Sequence, residues 1–283
     1  MTVNFQRVMA RTILVAVVYF GVMFAAYANT IAWDKLQGLG QVEYFQVENP
    51  KKLTNNKSYH IFVRLPDEYQ TSKNQTFPVI YLLDGGTNFP LFAASYTHLR
   101  LMEDIPPMII VGISYGTHDW QKGNDRSHDF TAPSSEREFW GGAKVFDQFF
   151  SETLMPTVQK KYRVDAKKQI LFGQSLGGQF GLYSSMYGEA PFWGVIASNP
   201  ALHRNLDFFQ RPLNKRNNRP RLFVSIAEFD NERFKIRSEA WVEFWKQQKT
   251  AWDHQFTTID GQNHLSANPD VLRNGLMWMF AIH

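Results

Sequence analysis

The chain has 283 residues, of which 44% are hydrophobic and 15% are aromatic, a composition typical of a globular protein and not of a disordered one. The net charge of +4 comes without a block of like charges, which argues against nucleic-acid binding. Cysteine is absent, so disulfides, a thiolate nucleophile, a cysteine-ligated metal and a lipid-modified N-terminal cysteine are excluded.

The N-terminus has the layout of a secretory signal. Arg7 and Arg11 precede the apolar run TILVAVVYFGVMF, and the small residues AAYA follow it. We therefore predict a signal peptide over residues 1–28, export to the periplasm or the medium, and a single mature domain over residues 29–283. The alternative is an uncleaved membrane anchor at residues 12–28, a stretch at the short edge for a membrane span.

Two kinds of strand pattern follow in chain order. The segments QVEYFQV and SYHIFVRLP alternate apolar and polar residues, which predicts two half-exposed antiparallel strands at residues 41–47 and 58–66. Continuous apolar runs are typical of strands that are covered on both faces. Such runs occupy residues 78–83, 108–113, 169–173, 193–198 and 222–227, with a weaker run at 254–259.

Helical periodicity lies between these strands. It occupies residues 144–162, 175–187, 232–250 and 267–280. The alternation predicts an α/β fold with a mostly parallel central sheet, helices on both faces and the antiparallel strands at one edge. The stretch from 115 to 142 has little periodicity, and a loop of that length in a compact domain is usually functional or disordered.

A serine stands between two glycines where an apolar strand runs into a helix. Gly173, Ser175 and Gly177 form a G-x-S-x-G pattern within ILFGQSLGGQFGLY. In this context the pattern forms a strained turn that holds the serine hydroxyl clear of the backbone for nucleophilic attack. We therefore predict Ser175 as a catalytic nucleophile.

A serine nucleophile also needs two N–H donors for the oxyanion of its tetrahedral intermediate. The backbone amide of Leu176, directly after the serine, is the first candidate. The second donor is expected in the loop after the third strand, LLDGGTNF. Gly86 is the preferred residue there and Gly85 is the second choice.

The base and the acid should follow the serine, with the acid before the histidine. His264 lies in the polar loop IDGQNHLSA between the last strand and the last helix, where the base is expected. The loop AEFDNE, after the strand LFVSIA, offers two carboxylates, Glu228 and Asp230. Asp230 is preferred because it can reach back over the sheet edge, and Glu228 is the second choice.

Together these motifs resemble the putative-esterase (esterase D-like) branch of the α/β-hydrolases. The sequence is most similar to the group that contains siderophore esterases of the enterochelin and salmochelin type. The resemblance covers residues 40 to 280. The segments that carry it are PVIYLLDGG, NDRSHDFTAP, GGAKVFDQFFSETLMPTVQKKYRVD, ILFGQSLGGQFGLY, ASNPAL and DGQNH.

The resemblance implies an α/β-hydrolase fold with Ser175 as nucleophile, His264 as base and an acid at Asp230. Relatives carry a glycine three residues before that acid, whereas this chain has Ala227. Some siderophore esterases work with a serine–histidine pair and little help from an acid. The resemblance also makes a siderophore ester a candidate substrate, with aryl, short acyl and carbohydrate esters as the alternatives.

Two further positions depart from or match the family pattern. Relatives often have histidine directly before the nucleophile, whereas this chain has Gln174, which we expect only to pack. Arg126 and Asp129 match an R-x-x-D pattern near the mouth of the site. Arg126 is therefore a candidate to bind an anionic or catecholate group of the substrate, the alternative being a salt bridge within the loop.

The leading prediction is an exported serine esterase that acts on a small-molecule ester through an acyl-enzyme and needs no cofactor and no metal. Acyl transfer by the same fold and a non-catalytic hydrolase-like binding protein are the alternatives. A metal-dependent hydrolase is a third, but the spacing of the candidate ligands fits no established motif. These candidates are His118, Asp119, Asp125, His128 and Asp129. The oligomeric state does not follow from the sequence.

Overall fold

A computed structural model describes residues 37–48, 58–213, 219–248 and 252–281. The predicted signal or anchor segment, residues 1–28, lies outside these described residues. The described strands are β1 Val42–Glu48, β2 Ser58–Arg64, β3 Phe77–Leu82, β4 Ile109–Ser114, β5 Val164–Gln174, β6 Gly194–Ser198, β7 Arg221–Ala227 and β8 His254–Ile259. 

Within these residues the strands form a single sheet in the order β1-β2-β4-β3-β5-β6-β7-β8. β1 pairs antiparallel with β2, and β2 pairs antiparallel with β4. Every pairing from β4 through β8 is parallel. The predicted mixed sheet with antiparallel N-terminal strands at one edge is therefore confirmed.

Helices connect the parallel strands, as crossover connections require. The described α-helices are α1 Gly85–Leu101, α2 Arg126–Asp129, α3 Ala143–Phe149, α4 Met155–Lys161, α5 Leu176–Met186, α6 Glu232–Gln247 and α7 Asn268–Phe280. A π-helical turn, Phe150–Leu154, joins α3 to α4. The helix α1 begins inside the segment LLDGGTNF, where the sequence predicts a loop.

The core has two layers, one on each face of the sheet. Along β3, Val79 and Tyr81 point into one layer, and Ile80 and Leu82 point into the other. This alternation follows from the two-residue period of a strand. The first layer also contains residues of α3 to α6, and the second contains residues of α1 and α7. Helices therefore cover both faces, which is why the central strands are apolar throughout.

The candidate site residues lie just beyond the carboxyl ends of parallel strands. Asp84 follows β3, Ser175 follows β5, Asn199 follows β6 and Asp230 follows β7. Ligands of open parallel sheets bind at this edge because the strand ends and the following helix N-termini meet there. Among the described helices, none combines the length and the apolar character needed to cross a membrane.

Candidate active site

Ser175 sits at a strained turn between β5 and α5. Its backbone has φ 59° and ψ −114°, a conformation that non-glycine residues adopt only when the surroundings impose it. Its amide donates to the carbonyl of Ser198 at 2.9 Å. Its own carbonyl accepts from the amides of Gln179 at 2.9 Å and Ala201 at 3.0 Å. The side chain is half-buried, so the hydroxyl group sits on a rigid turn that solvent reaches.

Glycines allow the strand and the helix to approach at this turn. A Cβ on Gly173 would overlap the carbonyl of Gly177. A Cβ on Gly178 would lie 2.7 Å from the carbonyl oxygen of Ser198, closer than van der Waals contact permits. A Cβ on Gly177 would meet only ordinary contacts, the nearest at 3.4 Å. Backbone approach therefore requires glycine at 173 and 178 more strictly than at 177.

His264 makes a two-oxygen hydrogen bond with Asp230. Its Nδ1 lies 2.8 Å from Oδ1 and 2.9 Å from Oδ2 of that carboxylate. The Asp230 side chain is 2% exposed and the His264 side chain 20% exposed. The carboxylate also accepts from the amide of Asn231 at 2.6 Å. Glu228, the other predicted candidate, instead accepts from the amide of Gly261 at 2.7 Å.

The backbone of His264 is fixed by two side-chain amides. Gln174 Nε2 donates to the His264 carbonyl at 2.9 Å, and Asn199 Nδ2 donates to it at 3.2 Å. Asn199 Oδ1 in turn accepts from the amide of Ala227 at 2.6 Å. These bonds join the histidine loop to the residue before Ser175 and to the end of β7. Gln174 thus does more than pack, contrary to the sequence-based expectation.

An aromatic ring of α6 packs on the imidazole of His264. Phe234 stacks on the His264 ring with centroids 4.8 Å apart and planes 23° apart. The same Phe234 meets the ring of His203 edge-on, at 4.8 Å and 80°. Stacking of this kind restricts the orientation of the imidazole, since an offset parallel ring pair is a preferred aromatic geometry.

The two predicted oxyanion donors are both near helix N-termini. Leu176 is the first residue of α5, and Gly86 is the second residue of α1. The amides of a helix's first turn have no acceptor within that helix. Gly85 is buried, and a Cβ there would lie 2.5 Å from the amide nitrogen of Ile113. Gly86 is exposed and lines a cleft. Close packing against Ile113 therefore requires glycine at 85, whereas Gly86 borders the cleft.

This cleft has a volume of about 360 Å³ and a mixed polar and apolar lining. Its lining includes Gly86, one of the two candidate oxyanion donors, Gln174, directly before Ser175, and Leu265, directly after His264. Arg126 and Tyr115 complete the side formed by the long loop. A pocket of this size with a few polar groups is the usual form of a small-molecule site.

Arg126 is held at the cleft by Asp84. Its Nε and Nη2 donate to the two carboxylate oxygens, each at 2.8 Å. Burial acts to lower the pKa of Arg126, but the Asp84 carboxylate outweighs it and leaves that pKa above its usual range. The pair is bidentate, which fixes the guanidinium plane. The salt bridge therefore joins the long loop to the residue before α1, and it is not contained within the loop.

Asp129, the other residue of the R-x-x-D pattern, serves different partners. Its Oδ2 accepts from the hydroxyls of Tyr59 and Tyr115, both at 2.9 Å. Its Oδ1 lies 3.0 Å from Nδ1 of His128. Desolvation by burial and then the Asp129 charge raise the pKa of Tyr115, so both tyrosines remain donors. Asp129 therefore stabilises the start of the long loop against β2 and the end of β4.

The histidines and aspartates of the long loop form no shared metal centre in the structure. His128 bonds to Asp129, whereas His118 is exposed at the edge of the cleft. Across the described ranges, no group of three or more histidine, aspartate or glutamate side chains is arranged to hold a metal ion.

Comparisons with known proteins place this geometry in a family. The model of the family described as Putative esterase matches residues 53–271. The ferri-bacillibactin esterase BesA of Bacillus subtilis (strain 168) is 28% identical over 256 residues, which cover 81% of this chain and 86% of BesA.

Solved structures agree on the fold. The BES protein from Bacillus cereus has a TM-score of 0.71 at 26% identity, covering 84% of this chain and 94% of that chain. The siderophore hydrolase EstB from Aspergillus nidulans has a TM-score of 0.70 at 20% identity, covering 85% and 95%. The predicted α/β-hydrolase fold is confirmed. Since the family model spans most of the sequence, the chain belongs to the putative esterase family and is a carboxylic ester hydrolase.

Proposed function

We propose that the protein is an exported serine esterase that cleaves a siderophore ester through an acyl-enzyme. The observation that carries this proposal is the hydrogen-bonded pair of His264 and Asp230, joined through Gln174 to the turn that presents Ser175. Serine acyl transfer requires a base that is oriented by an acid and acts on the serine hydroxyl, and this pair supplies the base and the acid.

In the first half of the proposed reaction, Ser175 Oγ attacks the ester carbonyl carbon while Nε2 of His264 takes the hydroxyl proton. Asp230 accepts from Nδ1 and so holds the tautomer whose Nε2 is a free base. The same carboxylate stabilises the imidazolium that forms. Nε2 then returns the proton to the leaving alcohol oxygen as the C–O bond breaks, and an acyl-serine remains.

The negative charge of the tetrahedral intermediate needs donors that are in place before the reaction. The Leu176 and Gly86 amides supply them, because both belong to first helical turns and neither has an acceptor within its own helix. In the second half, His264 takes a proton from water, the hydroxide attacks the acyl carbon, and the acid leaves as Ser175 regains its proton. No cofactor takes part in this sequence.

The names of the relatives and the position of Arg126 support the proposed substrate class. BesA is named a ferri-bacillibactin esterase and EstB a siderophore hydrolase, and siderophores bind iron through anionic oxygen donors. Arg126 gives Asp84 one N–H from Nε and one from Nη2. Its other N–H groups remain for an anionic oxygen of a substrate in the cleft.

We also propose export through residues 1–28, with 29–283 as the mature domain. The support is the signal layout of the sequence. The intact mass of the chain recovered from producing cells tests it. A mass beginning at Asn29 in the exported fraction is expected, whereas a full-length chain in the membrane fraction would favour the anchor.

The function is tested by intact-mass analysis after treatment with a fluorophosphonate. Wild type should gain one adduct, and Ser175→Ala should gain none. Ser95→Ala is the matched control, because Ser95 is a half-exposed helix serine whose hydroxyl bonds to the Phe92 carbonyl. An adduct on all three chains, or on none while they are folded, would contradict an activated Ser175.

A further inference from the structure

A second cavity lies outside the cleft described above. It has a volume of about 480 Å³ and is lined by His203, Arg204, Arg233, Ile236 and Arg237. We call these five residues the arginine pocket. None of them lines the cleft that contains Arg126, so the two cavities are separate binding volumes.

The arginine pocket has an excess of positive charge. Arg204 forms an ion pair with Glu136 at 2.6 Å. Arg233 and Arg237 are exposed and one turn apart on α6, and neither forms an ion pair with a described residue. Cationic side chains that share a concave surface attract anionic ligands more strongly than isolated surface charges do.

His203 lies within this pocket with an unused polar atom. Its Nδ1 is shut off from solvent and has no hydrogen-bond partner among the described residues, and Arg204 Nε is in the same state. Burial, followed by the charges of Arg204 and Arg233, lowers the pKa of His203 to about 4. An anion in the pocket would offset the part of this shift that comes from the charges of Arg204 and Arg233.

Aromatic and apolar groups accompany the charges. The ring of His203 meets Trp140 edge-on, with centroids 6.0 Å apart. The guanidinium of Arg233 lies 4.5 Å from the ring centroid of Phe234, and Ile236 is exposed in the lining. This combination suits a planar anion, because guanidinium groups bind paired oxygens and rings pack against rings.

Phe234 connects the arginine pocket to the proposed base. It touches His203 with its edge and stacks on His264. The cleft with Arg126 reaches the same histidine loop through Leu265. The loop that carries the proposed base therefore has the Arg126 cleft at Leu265 and contacts the arginine pocket through Phe234.

From this arrangement we infer that the arginine pocket is a second anion subsite for the ester substrate. It takes an oxygen-rich aromatic anion, a catecholate or an aryl carboxylate, in a part of the substrate other than the one Arg126 contacts. The inference rests on the proposed esterase function for its role in the reaction. The binding itself requires no turnover.

The test measures binding of dihydroxybenzoate to the full Ser175→Ala chain by calorimetry. Adding Arg233→Ala and Arg237→Ala should weaken binding about tenfold or more, since hydrogen bonds to charged groups are lost. The matched control is Lys160→Ala with Lys167→Ala, which removes the same charge from exposed positions away from the pocket. The control should bind as the parent does.

A second measurement locates the bound anion. Dihydroxybenzoate should raise the pKa of His203 in an NMR titration, whereas the uncharged dihydroxybenzamide should not. Any one of three results would overturn the proposed anion subsite. They are no binding to the Ser175→Ala chain, equal weakening of binding in the lysine control, and a His203 pKa that dihydroxybenzoate does not change. If dihydroxybenzoate binds as expected but wild-type Ser175 forms no fluorophosphonate adduct, the anion subsite stands and the esterase mechanism is rejected.

Discussion

The described part of the chain contains two histidine–aspartate pairs with similar distances between the imidazole Nδ1 and the carboxylate. Nδ1 of His264 lies 2.8 Å from Asp230, and Nδ1 of His128 lies 3.0 Å from Asp129. The first pair joins residues from two loops at the carboxyl edge of the sheet. The second joins neighbours in sequence within α2.

The pairs differ in what else each aspartate and each histidine holds. Asp129 also accepts from two tyrosine hydroxyls, and a Cβ on Gly142 would overlap the His128 ring. His264 is instead fixed through its carbonyl by Gln174, directly before Ser175. A short histidine–carboxylate contact is therefore not enough to indicate a base. The two pairs differ in their connection to Ser175, the proposed nucleophile.

Alanine at each histidine should separate the pairs most strongly. His264→Ala should lower kcat on an aryl acetate about ten-thousandfold or more, since the serine loses its base. His128→Ala should lose less than about tenfold, because that ring supports a loop. Steady-state kinetics on both variants checks this. Comparable losses in the two would remove the distinction.

Substitutions of the two candidate acids, Asp230 and Glu228, should give the next largest difference in kcat. Asp230→Asn should lower kcat about a thousandfold or more, because the amide no longer fixes the Nδ1–H tautomer of His264. Glu228→Gln is the matched control and should retain kcat within about threefold, since its side-chain oxygen can still accept from Gly261. A greater loss in Glu228→Gln than in Asp230→Asn would assign the acid to Glu228.

Substitution of Gln174 should have a smaller effect on kcat, because this side chain only positions the backbone of His264. Gln174→Met removes one of the two donors to the His264 carbonyl and leaves Asn199 in place. We expect kcat to fall about tenfold, the equivalent of one hydrogen bond, with KM nearly unchanged. Gln255→Met, at an exposed position of β8, should change neither. A fall confined to KM would make Gln174 a substrate contact instead.

The smallest effect concerns the pH dependence of the second pair. The Asp129 hydrogen bond raises the pKa of His128, so protonation is favoured more in the folded chain than in the unfolded one. The stability this gives is complete below the unfolded pKa and is lost as pH rises through the folded pKa.

Urea unfolding of wild type and His128→Gln can detect this dependence. The advantage of wild type in free energy of unfolding should be greater near pH 5.5 than near pH 8.5 by at most about 1 kcal/mol. A pH-independent difference between the two chains would mean that the His128–Asp129 contact does not depend on the charge of the imidazole.

The sheet could be predicted from the sequence because its central strands contain continuous apolar runs and its two antiparallel strands alternate apolar and polar residues. Helix α1 was not predicted, because Gly85, Gly86 and Pro90 are residues typical of a loop. The structure buries residues of α1 at helical spacing, but two of them are not apolar, and Leu91 and Leu101 are exposed, so the sequence has little amphipathic pattern over this helix. The buried residues are Gly85, Asn88, Phe89, Phe92, Ala93 and Tyr96.

For the candidate site, residue types and chain order led to Ser175 and His264, whereas the preference for Asp230 over Glu228 also rested on loop geometry and on the family resemblance. The roles of Gln174 and Asn199 could not be predicted in the same way. Their bonds to the His264 carbonyl span 90 and 65 positions, and no local pattern encodes a contact at that separation. The roles of such side-chain amides can be recognised only in the three-dimensional structure, where the ends of neighbouring strands lie close together.

The anchoring of the His264 carbonyl has a consequence for engineering this scaffold. Gln174 and Asn199 hold the histidine loop to the sheet, whereas Arg126 and Asp129 hold the long loop through Asp84 and two tyrosines. The two sets of anchors share no residue. Grafting a long loop from another member of the family should therefore alter which esters are accepted without displacing the histidine, provided that the graft keeps the arginine opposite Asp84.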